Sequence, residues 1–223
     1  MKVSWKITAA LAVLALAVPA WAQFGPRSPG ISGVFHPVVG QGSAYEMKGN
    51  DQPAKEMEIA VVGKEDYQGQ TGYWLETSFQ GSERGPAAMK MLMVMEGPNP
   101  GPKRMIMMMN GQAYEFPMNN PMMGQRMAQS APHDIRSDKS IVRVGTESIT
   151  VPAGTFSCEH YRASDGSSDF WISDKVSPWG LVKSVSKNNT MILTRQITNA
   201  TSKITGPVKP FDPMQMMQQQ PRP

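Results

Sequence analysis

Alternation of apolar and polar residues starts near Ser43 and governs most of the chain up to Thr198. In Glu56–Val62, Met57, Ile59 and Val61 fall on one side, and Glu56, Glu58 and Ala60 on the other. A period of two is the mark of a half-buried antiparallel strand. Gly72–Phe79 repeats it, with Tyr73, Leu75 and Phe79 on one face and Trp74 and Glu76 on the other. Ser43–Lys48 is an earlier strand of the same kind. Pro117–Lys139 breaks the rhythm. It is rich in Met, Asn, Gln and Pro, holds only a weak helical pattern at Met122–Gln129, and reads as a mobile cover over an opening in the sheet.

Two segments alternate with methionine. Ala88–Met95 puts Met89, Met91, Met93 and Met95 on one face, with Leu92 and Val94 behind them. Arg104–Met109 does the same with Met105, Met107 and Met109. The connector from Gly97 to Pro102 cannot extend either strand, which predicts a hairpin with a stiff loop. Asn110-Gly111 signals a tight turn into Ala113–Phe116. In the second half, Ile141–Val151 and Thr155–Arg162 flank Pro152-Ala153-Gly154. There Pro152 presets the first corner, and Gly154 accepts a positive φ at the exit. Asp169–Ser173, then Leu181–Lys187 and Thr190–Thr198, complete the run. The expected fold is all-β with little helix: a curved antiparallel sheet forming a half-open barrel.

The ends differ from this middle. Residues 1–22 read as a cleavable signal peptide: Lys2 and Lys6, an apolar run from Ala9 to Val18, and Ala20-Trp21-Ala22 before the expected cut. The run is too short to span a bilayer, which takes about 20 residues. The expected product is a periplasmic or secreted domain with no transmembrane anchor in the mature chain. No cysteine follows the cleavage site to carry a lipid. Residues 23–42 form a Gly/Pro-rich extended arm, 43–205 a single β domain, and 206–223 a disordered tail rich in Met, Gln and Pro. The net charge of +4 includes two leader lysines, and no block of like charge occurs, so nucleic acid is not an expected partner.

Little in the chain carries catalytic chemistry. The three histidines, His36, His133 and His160, show no metal-ligand spacing. No nucleophile elbow, phosphate loop or cofactor motif occurs. Cys158 is the single cysteine, so no internal disulfide can form. On a strand Cys158 and His160 would share a face, which leaves a Cys–His nucleophile pair to weigh against a buried thiol in a sheet core. No enzyme activity, cofactor or metal is expected. The 19 methionines are the unusual feature. Alternating thioethers suit a deformable apolar ligand wall, a soft-metal site for Cu(I), or plain core packing. The expected ligand-binding residues are Met89, Met91, Met93, Met105, Met107 and Met109, with Tyr73, Trp74 and Leu75 nearby on one face or the other. The expected partner is a lipid or other apolar small molecule. The alternatives are copper, or an envelope protein that contacts a sheet edge or the Met-rich tail.

One stretch carries a resemblance. The Glu147-x-Ile149-x-Val151-Pro152-Ala153-Gly154-Thr155-Phe156 hairpin is followed by Asp169-x-Trp171-x-Ser173 and then Pro178-Trp179-Gly180-Leu181-Val182-Lys183. Together they resemble exported bacterial domains of unknown function, some of which are similar to the half-barrel of the periplasmic lipoprotein carriers. The resemblance covers about a quarter of the chain, in its C-terminal half. It implies a curved sheet around an apolar cavity that takes acyl chains.

Overall fold

The structure, a computed structural model, describes residues 32–49, 52–80, 87–98, 100–109, 111–118 and 133–212. The segment expected to be a signal peptide, residues 1–22, and most of residues 117–139, including Met122–Gln129, lie outside the described residues. The strands in chain order are β1 (Ser32–Gly33), β2 (Gly42–Gly49), β3 (Gln52–Tyr67), β4 (Gln70–Phe79), β5 (Ala87–Val94), β6 (Gly101–Met109) and β7 (Gln112–Phe116). After them come β8 (His133–Asp134), β9 (Ile141–Val151), β10 (Gly154–Ala163), β11 (Ser168–Ile172), β12 (Leu181–Ser186), β13 (Asn189–Ile197) and β14 (Val208–Pro210).

Twelve strands form one sheet in the order β14-β7-β6-β5-β4-β3-β2-β13-β12-β11-β10-β9. Neighbours are antiparallel except β14, which runs parallel to β7. A small parallel pair, β1 with β8, stands apart. The sheet is open, not a closed barrel. Register shifts interrupt six of its pairings. Each such irregularity bends its strand and adds local twist, which is how a long sheet curves. At the curled end β9 approaches β12 and β13, well beyond its neighbour β10.

The hairpins follow the expected turn chemistry. Gly154 has φ +131° after the Pro152-Ala153 corner, and Gly111 has φ +76° before β7. Gln68 and Gly69 between β3 and β4 both take positive φ, 54° and 79°. This is the combination a two-residue hairpin turn requires.

One apolar cluster runs the length of the sheet. It includes Tyr45, Ile59, Leu75, Met93, Met105, Trp179 and Leu193, each at most 1% exposed. Each fully buried aliphatic or aromatic side chain contributes about 2 kcal/mol relative to exposure. Within the segment expected to be an extended Gly/Pro-rich arm, Val34 and Phe35 pack against this core. Val34 N donates to Trp179 O at 2.9 Å, His36 N donates to Pro178 O at 2.9 Å, and the Phe35 ring lies 4.6 Å from Trp179. The end of the 117–139 excursion also returns to the core. Ile135, in a short 3-10 turn at Ile135–Ser137, is fully buried.

The expectation of a disordered tail from 206 onward needs correction for its first residues. Val208, Lys209 and Pro210 pair with Ala113, Tyr114 and Glu115 as the edge strand β14. Phe211 then stacks on Phe116 at 4.1 Å. Pairing with an existing edge and burial of a phenyl ring supply what composition alone did not show. Residues 213–223 lie outside the described residues.

Between β13 and β14 the chain crosses the face opposite the methionines as a strap. Ile204 packs there with Ala88, Ile106 and Ala113. The buried Glu76 carboxylate accepts from Ser202 Oγ at 2.5 Å and from Lys203 N at 2.7 Å. Glu58 accepts from Lys203 Nζ and, at 2.7 Å, from Arg195 Nη2. Burial pushes the Glu58 carboxyl upward, but the bonds from Lys203 and Arg195 outweigh it and leave it below the usual carboxylate range. A depressed carboxylate contributes stability above its unfolded value, about 4.3, and loses it as pH falls through the folded value. Both cations are half-exposed, so solvent screening limits the contribution to about 1 kcal/mol. Amide protection factors in residues 199–206, with the intrinsic pH dependence of exchange divided out, should therefore be flat above pH 5 and fall below pH 4. Glu58→Gln should remove most of that acid-side step, and an unchanged profile in the variant would refute this role for Glu58.

Candidate functional site

The methionine face is built by register. Met89 pairs with Met107, and Met91 with Met105. Leu75 faces Met91, Thr77 faces Met89, and Tyr73 faces Met93. On the other flank Phe116 faces Met105, Tyr114 faces Met107, and Gln112 faces Met109. A shift between Leu92 and Met93 sets Met93 opposite Pro102. Directly paired side chains on a sheet stand with Cβ atoms about 5 Å apart. Six methionines from two strands thus form one contiguous patch with Tyr73 and Leu75, all within the same apolar cluster.

Burial divides the patch. Met93 and Met105 are 1% exposed and Met91 8%, whereas Met89, Met107 and Met109 are half-buried. The patch therefore runs from a rim that touches solvent into the core of the molecule. Tyr114, Phe116 and Phe211 extend it at one end, and Phe35 and Trp179 join it beyond Tyr73. Tyr114 and Phe116 were not among the expected lining residues, yet the Asn110-Gly111 turn carried the signal. A tight turn that pairs Met109 with Gln112 sets Tyr114 against Met107 and Phe116 against Met105. No comparable local signal pointed to Phe211.

Trp74 stands apart from the patch. It pairs with Leu92, whose neighbour across β5–β6 is Arg104, and lies on the outer face. Its indole Nε1 donates to Glu65 at 3.0 Å, and Lys90 and Arg104 lie 5.3 and 5.2 Å from its ring centre. Arg104 in turn donates to Glu115 at 2.6 Å and to Glu65 at 3.0 Å. Strand alternation alone sends Trp74 away from Tyr73 and Leu75. It is part of a cation–aromatic network and contributes nothing to the methionine face.

The Cys158 and His160 pair is not arranged for nucleophilic chemistry. Cys158 is fully buried, and its Sγ donates to Phe156 O at 3.6 Å. Burial, and then the charge of Glu147, push its thiol up to about 11. At neutral pH it stays protonated and unreactive. His160 has Nδ1 2.8 Å from Glu147 and Nε2 2.5 Å from Asp169, and it stacks on Trp171 at 4.6 Å. Burial pushes Asp169 upward, but hydrogen bonds from Arg162 and His160 outweigh that and hold its carboxyl low. With both ring nitrogens held by carboxylates, His160 ties β10 to β9 and β11. β10 lies seven places from β5 in the sheet, so neither residue supplements the paired thioethers of β5 and β6 through sheet adjacency. Among the described residues no three His, Cys, Asp or Glu side chains gather to hold a metal. No described helix is long and apolar enough to cross a membrane.

Comparison with known proteins gives a family without an activity. No curated protein matches the chain. Two solved structures are similar over 74% of this chain and 99% of theirs, each with a TM-score of 0.37. One, 12% identical, is from Bacteroides fragilis and is described as a candidate exported protein with a YmcC-like fold. The other, 15% identical, is a candidate lipoprotein from Parabacteroides distasonis. Likenesses this slight carry no functional argument. A family model described as a domain of unknown function, DUF4412, matches residues 65–221, well over half of the sequence. The chain therefore belongs to the DUF4412 family.

Proposed function

We propose that the protein is an exported, non-enzymatic binding protein for an apolar ligand, a lipid or acyl chain, which it holds against the methionine face. The observation that carries this reading is the gradient along that face. Half-buried Met89, Met107 and Met109 at the rim lead without interruption to buried Met91, Met93 and Met105. Unbranched thioethers change shape at low cost, so such a wall can yield to a chain and close on it. Contact with apolar surface contributes about 25 cal/mol per Å² of area removed from water. Export rests on the leader at residues 1–22, with cleavage after Ala22. The resemblance to the lipoprotein-carrier half-barrel points to the same class of ligand.

Native mass spectrometry of protein purified from its own compartment tests the reading. The expected result is a co-purifying lipid mass, together with saturable binding of the dye N-phenyl-1-naphthylamine. No retained lipid and no dye binding would refute it.

Direct Met89–Met107 and Met91–Met105 pairing also favours a second reading, Cu(I) held by thioethers. The triple variant Met91→Leu, Met93→Leu, Met107→Leu separates the two, because it conserves volume while removing sulfur. Under the lipid reading, dye affinity should stay within about threefold of wild type. Under the copper reading, stoichiometric Cu(I) binding should be present in the wild type and lost in the variant.

A further inference from the structure

The corner between β11 and β12 holds three buried polar atoms without a hydrogen-bond partner: Trp179 Nε1, Ser173 Oγ and His36 Nε2. More than nine in ten buried polar groups in native proteins are paired, so three around one corner call for an explanation. All three residues sit around Gly180. Ser173 N donates to Gly180 O at 2.8 Å, and Trp179 precedes it in the chain. A Cβ built on Gly180 would stand 3.4 Å from His36 Cε1 and 3.0 Å from Ser173 O. The left-handed φ of +70° and these contacts reserve the position for glycine and bring the imidazole close.

The three atoms differ in kind. An indole N–H only donates, and a hydroxyl donates or accepts. His36 Nδ1 lies 2.8 Å from Val34 O, so it carries the hydrogen and leaves Nε2 as an acceptor in the neutral ring. Trp179 is fully buried and Ser173 is 3% exposed. The indole packs in the main apolar cluster. Its ring lies 4.6 Å from Phe35, Phe35 meets Tyr73 edge-on at 6.0 Å, and Tyr73 pairs with Met93. The unpaired donor and the methionine face therefore belong to one apolar interior.

We infer that this corner receives the carbonyl or carboxyl oxygen of an acyl ligand, with Trp179 Nε1 as the principal donor and Ser173 Oγ as the second. The chain of the same ligand lies along Met93, Met91 and Met105. The inference rests on the apolar-ligand reading and adds a polar end to it. A plain hydrocarbon leaves all three groups unpaired, whereas an acyl oxygen pairs the donors inside a low-dielectric core, where such bonds are strongest.

The test uses the full mature chain, with palmitate, methyl palmitate and N-phenyl-1-naphthylamine as probes. In a ¹H–¹⁵N spectrum of the wild type, the indole resonance that Trp179→Phe removes should move downfield on adding palmitate. It should stay in place with the dye, which has no acyl oxygen. The ratio of palmitate affinity to dye affinity should fall about tenfold in Trp179→Phe and about threefold in Ser173→Ala. Methyl palmitate moving the indole as palmitate does assigns the contact to the carbonyl; palmitate alone moving it assigns the contact to a free carboxylate. Binding of palmitate and dye with an unmoved indole and unaltered variants would overturn the polar corner and leave the apolar wall standing. Failure of every probe to bind the wild type would overturn both. The wild-type spectrum decides the matter even where Trp179→Phe folds poorly.

Discussion

Alanine at Gly33 should destabilise the fold by about 3 kcal/mol or more, seen as a lower urea midpoint with little change in slope. A Cβ at this position would lie 1.9 Å from Trp179 O, 2.9 Å from Trp179 C and 3.0 Å from Trp179 Cβ. Two of those atoms are backbone, so no side-chain rotation relieves the clash. The carbonyl that must move is the one that accepts from Val34 N at 2.9 Å. Retreat of the arm would break that bond and separate Phe35 from Trp179, and retreat of the corner would displace a fully buried indole. Overpacking alone costs about 1–3 kcal/mol, and a broken buried backbone bond adds about another 1. Gly145→Ala, where an added Cβ meets nothing within 4 Å, is the control and should change stability by less than about 0.5 kcal/mol. A Gly33→Ala midpoint equal to wild type would mean that the arm does not pack as described.

Most of the architecture was legible in the chain because the sheet is made of local hairpins. Alternation placed β2 to β7 and β9 to β13 within three residues except β3, which extends well past Glu56–Val62 at both ends, and Gly111 and Gly154 marked turns that the backbone adopts with positive φ. The methionine face was legible for the same reason. Side chains two apart on a strand share a face, and a turn fixes which residues oppose one another. What escaped was non-local. β14 is three residues, Val-Lys-Pro, with no alternation, and exists because the strap delivers it to the edge of β7. The arm shows only a Gly/Pro-rich composition, but its Phe35 is anchored by a corner more than 140 positions later. Glu58 and Glu76 look like solvent-facing alternates, yet each is covered by residues 202–203 returning from the far side of the sheet. A period of two says which residues oppose the core. It does not say whether a later segment will cover them.

Lysine at Met107 should abolish most apolar-ligand binding while leaving the fold intact. Met107 is half-buried between Met89 on β5 and Tyr114 on β7, at the rim of the methionine face. A lysine there can lay its stem along the rim and keep its ammonium in water, so the melting temperature should fall by only a few degrees. A bound chain would have to displace the water around that ammonium. Desolvating an unpaired charge costs several kcal/mol, so dye affinity should drop by about a hundredfold. Met107→Leu retains apolar volume and should bind within about threefold of wild type. Met108→Lys supplies the opposing control. Met108 is next in sequence, equally partial in burial, and lies on the outer face beside Ala113 and Ile106. It carries the same charge onto the same strand, with its side chain on the other face. If both lysine variants lose binding alike, the ligand is not selecting the methionine face. If only Met107→Lys does, the alternation of that one strand is what separates a binding surface from its supporting layer.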